Sequence, residues 1–417
     1  MRYGENTDET HQANAAILQH LPNLRHLKAF LVVAELKSVN RAAEQVHLSQ
    51  PAVTQAIARL EQNFGVDLFT RHQTGMYLTP FGTLLQARLI QAFDALALGA
   101  SQATTAALSK SVLADPVRFM TASQLDVLVT LLHTHDLNAA SAALRISVAS
   151  LHRNMRSLEQ QLGTKLVSRD GQNVRFTRAG AILAQQGKLA MRAIELARED
   201  IDWAQGVNGG RLTIGALPLA RTYIAPKAMV TVATRHPNLR VRLMEGSYAV
   251  LLQALREGDI DLLIGALRQP APAPDVIEAE LFTEELCVVA RSGHPLAQQP
   301  KTALVDMLKY PWVAPRAESP ARQQFDHMMR DAKAKPPLLL EVASHIAVRA
   351  ILFESDTLAL LSREQIRYEE QNGQLIVLPV QWQKLPRAIG YTVRANWRPT
   401  QAQTELVQAL KDICADR

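Results

Sequence analysis

The amino-acid sequence predicts a multidomain fold in which two winged helix-turn-helix domains, each with a linker helix, precede an α/β domain. Three observations predict it. Part of the first half recurs at an offset of 98 residues, both copies carry a helix–helix–turn–helix–hairpin pattern, and from Gly210 onward apolar strands alternate with amphipathic helices. The 417 residues leave room for roughly two to four domains of ordinary size.

The composition favours a cytoplasmic globular protein. Hydrophobic residues make up 47% of the chain, and no apolar run approaches the roughly 18 residues that span a bilayer. Residues 1–14 are polar and lack the apolar core of a secretory signal, so residues 1–22 are interpreted as a flexible leader. The two cysteines, Cys287 and Cys414, suggest neither a disulfide framework nor a metal site, and no cofactor is expected.

The charge alone does not identify a partner. A net charge of +6 is compatible with a polyanion. Residues 1–209 carry 20 basic and 17 acidic side chains, a net of +3, so the excess is shared between the two halves. An argument for DNA binding therefore has to come from motifs.

Segments 27–82 and 125–180 form an internal repeat, because they align without a gap. The 12 identities in 56 positions are Leu27/Leu125, Asn40/Asn138, Ala42/Ala140, Ser49/Ser147, Leu60/Leu158, Glu61/Glu159, Gln62/Gln160, Gly65/Gly163, Leu68/Leu166, Arg71/Arg169, Thr79/Thr177 and Gly82/Gly180. They fall on turn, cap and core positions, which indicates duplication of a folded unit.

Local signals in the first copy define three helices and a hairpin. Ser38 is placed to cap a short second helix, and Ser49 to cap the third, where Pro51 is tolerated in the first turn. Gly65 ends the third helix, and a turn at Gly75 separates two short strands.

The second copy repeats these signals with Asp136 or Asn138 near the second cap, Ser147 at the third, and a turn at Asp170-Gly171. Two helices joined by a tight turn and followed by a hairpin form a winged helix-turn-helix, whose second helix enters the major groove. On the helix pattern alone, an unrelated small trihelical domain remains the alternative to DNA binding.

Several motifs of the first copy resemble the DNA-binding domain of LysR-type transcriptional regulators. They are Ala42-Ala43-Glu44, Leu48-Ser49-Gln50-Pro51-Ala52-Val53-Thr54, Leu60-Glu61, Gly65-Val66, Leu68-Phe69, Arg71, Leu78-Thr79 and Gly82. The second copy resembles it more faintly. After Gly210 the chain is similar to the family's effector domain, and within it to the galactose-binding-protein-regulator branch, through Arg211-Leu212-Thr213-Ile214-Gly215, His236-Pro237, Gly258-Asp259-Ile260-Asp261-Leu262-Leu263-Ile264-Gly265, Gly293-His294-Pro295-Leu296 and Pro311-Trp312-Val313.

The resemblance implies a sequence-specific DNA-binding regulator that forms a homo-oligomer, a dimer or a tetramer. It also implies a two-lobed, periplasmic-binding-protein-like C-terminal domain with a small-molecule inducer between the lobes. The usual member of the family has one winged domain, and this chain departs from that pattern by carrying two.

Base reading requires hydrogen-bonding side chains near the start of the third helix, and register on the duplex requires phosphate contacts. The expected DNA-binding residues are Ser49, Gln50, Pro51, Thr54, Gln55, Arg59 and Arg71 in the first copy and Ser147, His152, Arg153, Arg156 and Arg169 in the second. A solvated helix face is the alternative for the arginines. The second copy has Val148 and Ala149 where the first has Gln50 and Pro51. The alternative for the second copy is therefore a retained dimerisation module that does not bind DNA.

Ligands of open α/β sheets bind at the carboxyl ends of the strands. The expected inducer contacts in the loops at those ends, and at one turn taken from the family resemblance, are Leu217, Pro218, Leu219, Ala220, Leu267, Arg268, Arg316, Ser344 and His345. Arg268 and Arg316 are suited to a carboxylate or a phosphate. An ordinary surface arginine and a structural histidine are the alternatives for these side chains.

The predicted domains follow from the repeat and from the change of pattern at Gly210. They are the leader at 1–22, winged domains at 23–82 and 119–180, a linker helix with a connector at 83–118, a second linker helix at 181–208, and an effector domain at 209–417 with lobe one at 210–291 and 382–417 and lobe two at 292–381.

Two questions of function and assembly stay open. An enzyme or a solute-binding protein built on the α/β domain is the alternative function, but that domain has no Ser-His-Asp signature, phosphate loop or dinucleotide motif. Linker helices pair between subunits in the family. Here the stretches 81–107 and 179–205 pair either within one chain, which would imitate the head pair of a dimer, or by exchange between chains.

Overall fold

The computed structural model describes residues 21–104, 115, 118, 120–170, 173–268, 270–317, 319–331, 336–380, 382 and 385–415. The chain divides into two compact units between Asn208 and Gly209. Within the described residues, no helix is both long and apolar enough to cross a bilayer, and no group of three His, Cys, Asp or Glu side chains could hold a metal ion. Of the predicted leader, residues 1–20 lie outside the described part.

The first unit contains two copies of a three-helix domain with a hairpin wing, each followed by a long helix. The first copy consists of α1 (Leu24–Leu36), α2 (Val39–Val46), α3 (Gln50–Phe64), β1 (Phe69–His72), β2 (Gly75–Leu78) and α4 (Pro80–Ala103), and the second of α5 (Ala122–Thr134), α6 (Leu137–Leu144), α7 (Val148–Leu162), β3 (Val167–Asp170), β4 (Asn173–Phe176) and α8 (Arg178–Ala204). The element order predicted from the repeat is present in both copies.

The backbone repeats at the same offset as the sequence. Left-handed conformations at the ends of equivalent helices occur at Lys37/His135, His47/Arg145 and Gly65/Gly163. Four of these residues are not glycine, and such residues rarely adopt positive φ, so the shared strain is a mark of common structure. The alignment of the two segments is therefore structural as well as sequential.

The wing is fastened to its helices by the same contacts in both copies. Glu61 Oε1 accepts hydrogen bonds from the amides of Leu68 at 2.9 Å and Phe69 at 3.4 Å, and Glu159 makes the equivalent pair of bonds in the second copy. A Cβ on Gly82 would collide with the carbonyl oxygen of Leu68. Glu61 and Gly82 recur in the second copy as Glu159 and Gly180, so the wing is held in the same position in both copies.

The turn of the first wing lies at Gln73 and Thr74 rather than at Gly75 as the sequence predicts, because Gly75 already pairs with His72 as the first residue of β2. Its left-handed φ of 138° brings the strand against α1, where the Met76 amide donates to the carbonyl of Lys37 at 3.0 Å. The glycine is needed for this close approach instead of for the turn itself. The turn predicted at Asp170-Gly171 lies largely outside the described residues.

The long helices α4 and α8 pack against each other in antiparallel orientation. Arg88, near the start of α4, donates to Asp200, near the end of α8, at 2.7 Å, and Gly99, near the end of α4, lies against Gln186, near the start of α8. One continuous apolar core joins both copies and both helices. Of the two alternatives for the linker helices, the structure has the pairing within one chain.

The second unit is an α/β domain with two sheets. The first sheet has the strands β5 (Gly210–Ala216), β6 (Leu239–Glu245), β7 (Leu262–Ala266), β8 (Val276–Glu284) and β14 (Arg387–Arg394), and the second has β9 (Leu286–Arg291), β10 (Trp312–Ala314), β11 (Leu339–Glu341), β12 (Leu358–Ser362) and β13 (Leu375–Val377). In the described residues their orders are β6-β5-β7-β14-β8 and β11-β10-β12-β9-β13.

Helices and short 3₁₀ turns cover these sheets. They are α9 (Pro218–Arg221), α10 (Ile224–Arg235), α11 (Tyr248–Glu257), α12 (Leu304–Met307), α13 (Pro320–Asp331), α14 (His345–Glu354), α15 (Arg367–Gln371) and α16 (Gln401–Ala415), with 3₁₀ turns at Pro295–Gln298 and Arg363–Ile366. Each sheet has its own apolar core, which confirms the prediction of two lobes.

The first crossing between the lobes corrects the predicted boundary. Strand β9, which the sequence analysis assigns to lobe one, pairs with β12 and β13 in the second sheet. The chain crosses between Glu284 and Leu286, where the buried Glu284 carboxylate accepts hydrogen bonds from Arg387 of one lobe and Ser362 of the other. Lobe two thus begins near residue 286 rather than 292. A largely apolar strand fits either sheet, so only its strand partners in the structure show to which lobe it belongs.

A buried carboxyl group in the second copy generates the first prediction. One carboxylate oxygen of Asp126 on α5 is buried without a hydrogen-bond partner among the described residues, and burial raises the pKa of this group from 3.8 to about 7. As the pH rises from the pKa of the Asp126 carboxyl in the unfolded chain to its higher pKa in the folded chain, the unfolded chain loses this proton first. Stability therefore falls through that window and stays low above it.

We expect Asp126→Asn to raise the Tm of the chain at about pH 8 and to change it little at about pH 4, because only the charged form is penalised. Thermal unfolding of both proteins across this pH range measures the difference. The exposed Asp67→Asn is the matched control. An equal gain at both pH values would contradict the buried charge.

Candidate nucleic-acid interface and ligand cleft

The third helix of the first copy, α3, is fixed by its apolar side. Val53, Ile57 and Leu60 are buried in the core and determine which face points outward. Ser49 caps the helix, with its Oγ accepting a hydrogen bond from the Ala52 amide at 3.3 Å. Pro51 follows in the first turn, as the sequence predicts.

The outward face of α3 collects the polar side chains proposed to read DNA. The predicted residues Gln50, Pro51, Thr54, Gln55 and Arg59 are all exposed, as is Ser49. Thr54 lies one turn after Gln50 on the same face, and Gln55 follows Thr54 about 100° further round the exposed side of the helix. The Thr54 hydroxyl donates to the Gln50 carbonyl at 3.1 Å, which leaves its oxygen available as an acceptor.

Arg59 and Arg71 lie apart from this cluster. Burial and the nearby charge of Arg59 lower the pKa of His26 on α1, so the guanidinium of Arg59 lies within electrostatic range of that helix. Arg71 is exposed on β1 of the wing, beside the start of the hairpin turn. Both positions suit phosphate contacts at the edge of the interface rather than base reading.

The equivalent helix of the second copy, α7, has a different outward face. Ser147 caps it by accepting from the Ser150 amide at 3.2 Å, and Arg153 donates to the Ser150 hydroxyl at 2.7 Å. Arg153 and Arg156 are exposed and His152 is half-buried. The backbone of Arg169 lies in β3, and its side chain is outside the described part of the structure.

A cavity of about 190 Å³ lies between the lobes of the α/β domain. Its lining is apolar with a few cationic and polar side chains: Leu217, Pro218, Leu219, Arg221, Gly246, Ser247, Tyr248, Ala266, Arg268, Val313, Ala314, Pro315, Arg316, Ser319, Pro320, Ala321, Val342, Ala343, His345, Val348, Ala359, Leu360, Leu361, Gln365 and Arg387. Residues from both sheets and from the strand ends contribute, as expected for a ligand site in such a fold.

The structure brings six of the predicted inducer contacts together in this cavity, namely Leu217, Pro218, Leu219, Arg268, Arg316 and His345. The other three are not among the lining residues. Ala220 is fully buried in the core behind the loop, Leu267 is bonded through its amide to Ala388, and Ser344 caps α14 by accepting from Ala347.

Arg268 is the cation with the most unusual surroundings. Its guanidinium carbon lies 4.3 Å from the centroid of the Tyr248 ring, and its Nε is buried without a hydrogen-bond partner among the described residues. A buried donor without an acceptor is costly, and an acceptor on a bound molecule would satisfy it.

Two of the other arginines in the lining form ion pairs with carboxylates. Arg221 pairs with Glu245, and Arg387 pairs with Glu284, so both charges are balanced outside the cavity. Among the described residues, the lining contains no Asp or Glu. The described lining therefore contains four arginines, of which Arg221 and Arg387 are paired with carboxylates outside it.

His345 adds a hydrogen-bond donor or acceptor to the cavity, and its protonation state depends on its burial. Desolvation lowers the pKa of His345, although a backbone hydrogen bond at Gln365 and the charge of Glu369 act in the opposite direction. Its Nδ1 is buried without a hydrogen-bond partner in the described structure. The ring is thus neutral at neutral pH and can bond to a bound molecule without adding charge.

The sequence analysis missed several cavity residues. Tyr248 begins α11 after β6, Gln365 lies in the turn after β12, and Arg387 begins β14. The first two follow parallel strands, but the sequence analysis placed the site in other loops. Nothing in the sequence indicated that Arg387 would reach the cavity.

Family models match the described architecture. One described as "LysR substrate binding domain" matches residues 205–417. Another, described as "Bacterial regulatory helix-turn-helix protein, lysR family", matches twice, at residues 24–83 and 122–181. The resemblance noted from the sequence and the tandem pair of helix-turn-helix domains are both confirmed.

Curated relatives are transcriptional regulators. The HTH-type transcriptional regulator GalR of Pseudomonas putida is 34% identical over 403 residues, which cover 95% of this chain and 98% of GalR. The HTH-type transcriptional regulator PcaQ of Agrobacterium fabrum is 29% identical over 280 residues, which cover 66% of this chain and 89% of PcaQ.

Solved structures share the fold. Full-length OxyR from Pseudomonas aeruginosa, 21% identical, matches with a TM-score of 0.54 over 69% of this chain and 96% of its own. Full-length LysG from Corynebacterium glutamicum with bound effector Arg, 20% identical, matches with a TM-score of 0.51 over 70% of this chain and 97% of its own. Part of this chain thus has no counterpart in either structure.

The cap of α3 generates the second prediction. We expect Ser49→Ala to speed hydrogen exchange in the first turn of α3, because removing an N-cap costs about 1 kcal/mol of helix stability. Hydrogen-exchange mass spectrometry of peptides from α3 and α7 measures it, and α7 should be unchanged. Ser49→Gly is the matched control, since Gly costs only a few tenths of a kcal/mol as an N-cap. Equal acceleration in both variants would contradict the role of the hydroxyl.

Proposed function

The chain belongs to the LysR family of DNA-binding transcriptional regulators, and from this premise we propose that α3 reads operator bases and that a small organic anion between the lobes controls this binding. Its relatives are regulators, so the chain is not an enzyme and the alternative of a solute-binding protein is not favoured. It acts on DNA in the cytoplasm under this proposal, as a homo-oligomer.

The proposed base contacts rest on the exposed face of α3. An amide side chain pairs bidentately with adenine in the major groove, and a threonine contributes a hydroxyl or a methyl contact. Gln50, Thr54 and Gln55 supply these groups on the exposed side of a helix whose opposite side is buried in the core. Arg59 and Arg71 would supply phosphate contacts that fix the register.

The proposed inducer class follows from the cavity. Its walls are mainly aliphatic, its lining has no carboxylate in the described part, and Arg268 carries a buried donor without an acceptor. A molecule with one carboxylate or phosphate and an apolar body satisfies both features. The anion pairs with Arg268, and the apolar body lies against Leu217, Val313 and Leu360.

Control of DNA binding then follows from linkage between ligand and conformation. An anion that contacts Arg268 of lobe one and Arg316 of lobe two binds more tightly when the lobes are closed than when they are apart. Such differential affinity is what allows a ligand to shift a conformational equilibrium.

The third prediction concerns the first reading head. We expect Gln50→Ala/Thr54→Ala to weaken binding to the chain's own upstream intergenic DNA at least about tenfold, because each base contact contributes about 1–3 kcal/mol. Electrophoretic mobility shifts against unrelated competitor DNA measure specific binding. Gln62→Ala, exposed at the far end of the same helix, is the control. Wild-type affinity of the double variant would contradict the proposed contacts.

The fourth prediction concerns the inducer class. We expect benzoate and hexanoate to raise the Tm of the full chain more than benzamide and hexanamide do, because only the acids bring a charge to Arg268. Arg268→Leu should remove the difference, whereas the exposed Arg330→Leu should keep it. Thermal unfolding at several ligand concentrations measures the shifts. Equal responses to acid and amide in the wild type would contradict an anionic inducer.

A further inference from the structure

The two reading helices of one chain are not equivalent. The repeat places His152, Arg153 and Arg156 of α7 where α3 has Thr54, Gln55 and Ala58. Both helices are capped by serine, carry the same wing and have an apolar side locked in the core. The two helices are thus exposed in the same way but differ in chemistry at these positions. Helix α3 carries amide and hydroxyl groups there, and α7 carries guanidinium groups.

The ion pair between the linker helices distinguishes one helix from the other. Arg88 is 2% exposed and its Nε donates to Asp200 at 2.7 Å. In the repeat, the counterpart of Arg88 is Gln186 and the counterpart of Asp200 is Gln102. Two copies of α4 paired in the same way would bury Arg88 against a neutral amide, and two copies of α8 would leave Asp200 without its cation.

Close packing at the other end of the pair disfavours two copies of α8. A Cβ on Gly99 of α4 would lie 2.6 Å from the Cβ of Gln186, so the helices approach closely only because residue 99 is glycine. The counterpart of Gly99 in α8 is Ala197. Two copies of α8 would therefore bring the extra methyl group of Ala197 into Gln186.

A third contact ties α8 to the first reading head. The guanidinium of Arg198 stacks on the Phe64 ring at 4.7 Å and donates to the carbonyl of Asn63, at the end of α3. The counterpart of Arg198 in α4 is Ala100, which cannot make this contact with the second head. The ion pair thus disfavours either helix paired with a copy of itself, the Gly99 contact disfavours two copies of α8, and the Arg198 contact disfavours two copies of α4.

We propose that each chain carries a built-in pair of unlike DNA-reading heads and that its operator consists of two different half-sites. Gln50, Thr54 and Gln55 of α3 read one half-site, and Arg153 and Arg156 of α7 read the other. This inference rests on the proposed function, because it assumes that α3 reads DNA. Glutamine favours adenine and arginine favours guanine, so the two half-sites differ in composition.

In vitro selection from a random double-stranded DNA pool tests this inference with the full-length chain, since no operator needs to be known. We compare the wild type with Gln50→Ala/Thr54→Ala and with Arg153→Ala/Arg156→Ala. The control, Lys301→Ala/Arg330→Ala, removes the same charge from exposed positions in the second unit. Affinities of each variant for the wild-type consensus are then measured across a salt series.

We expect the wild type to select two unlike half-sites. Each head variant should lose sequence preference in one half only, adenine positions for the first and guanine positions for the second, and should bind the full site about tenfold or more weakly. The control should select the wild-type site. A palindromic site, or unchanged selection by Arg153→Ala/Arg156→Ala, would overturn the inference while leaving the proposed function intact, whereas no enrichment by the wild type would overturn both.

Discussion

The buried ion pair between Arg88 and Asp200 is the interaction on which the arrangement of the N-terminal unit depends. The antiparallel pair of long helices that it joins carries one winged domain at each end, and the apolar core runs through all four parts without a break. Removing one partner of a buried pair costs about 3–5 kcal/mol, whereas the intact pair contributes little net stability. Its effect is therefore mainly on specificity, because it selects which helix packs against which.

The α/β domain depends on a similar device at its crossing. Glu284 ends one sheet and accepts hydrogen bonds from Arg387 of the same lobe and Ser362 of the other. Arg387 and Leu361, the neighbour of Ser362, also line the cavity, so the crossing is continuous with the cavity wall. The same buried carboxylate thus fixes the crossing and balances the charge of one cavity arginine.

Much of this architecture was predictable from residues with a single local role. Ser49, Gly65 and Gly82 fix a cap, a helix end and a close approach, and each recurs in the second copy, so the repeat was readable without a structure. The lobe boundary was not, since an apolar strand such as 286–291 carries no mark of its sheet. Cavity residues such as Tyr248 and Arg387 were missed because tertiary packing, not local pattern, brings them to the site.

The measurement that tests the central claim most directly is disulfide trapping of the helix pair. Gly99→Cys and Gln186→Cys are introduced into a chain in which Cys287 and Cys414 are replaced by alanine. The account predicts that oxidation links the two cysteines within one chain and leaves the monomer mass on non-reducing electrophoresis. The Cβ separation must widen toward the ~3.8 Å mean of a disulfide, a small shift for packed helices. A product of twice the monomer mass would show that the helices pair between chains and would contradict the account.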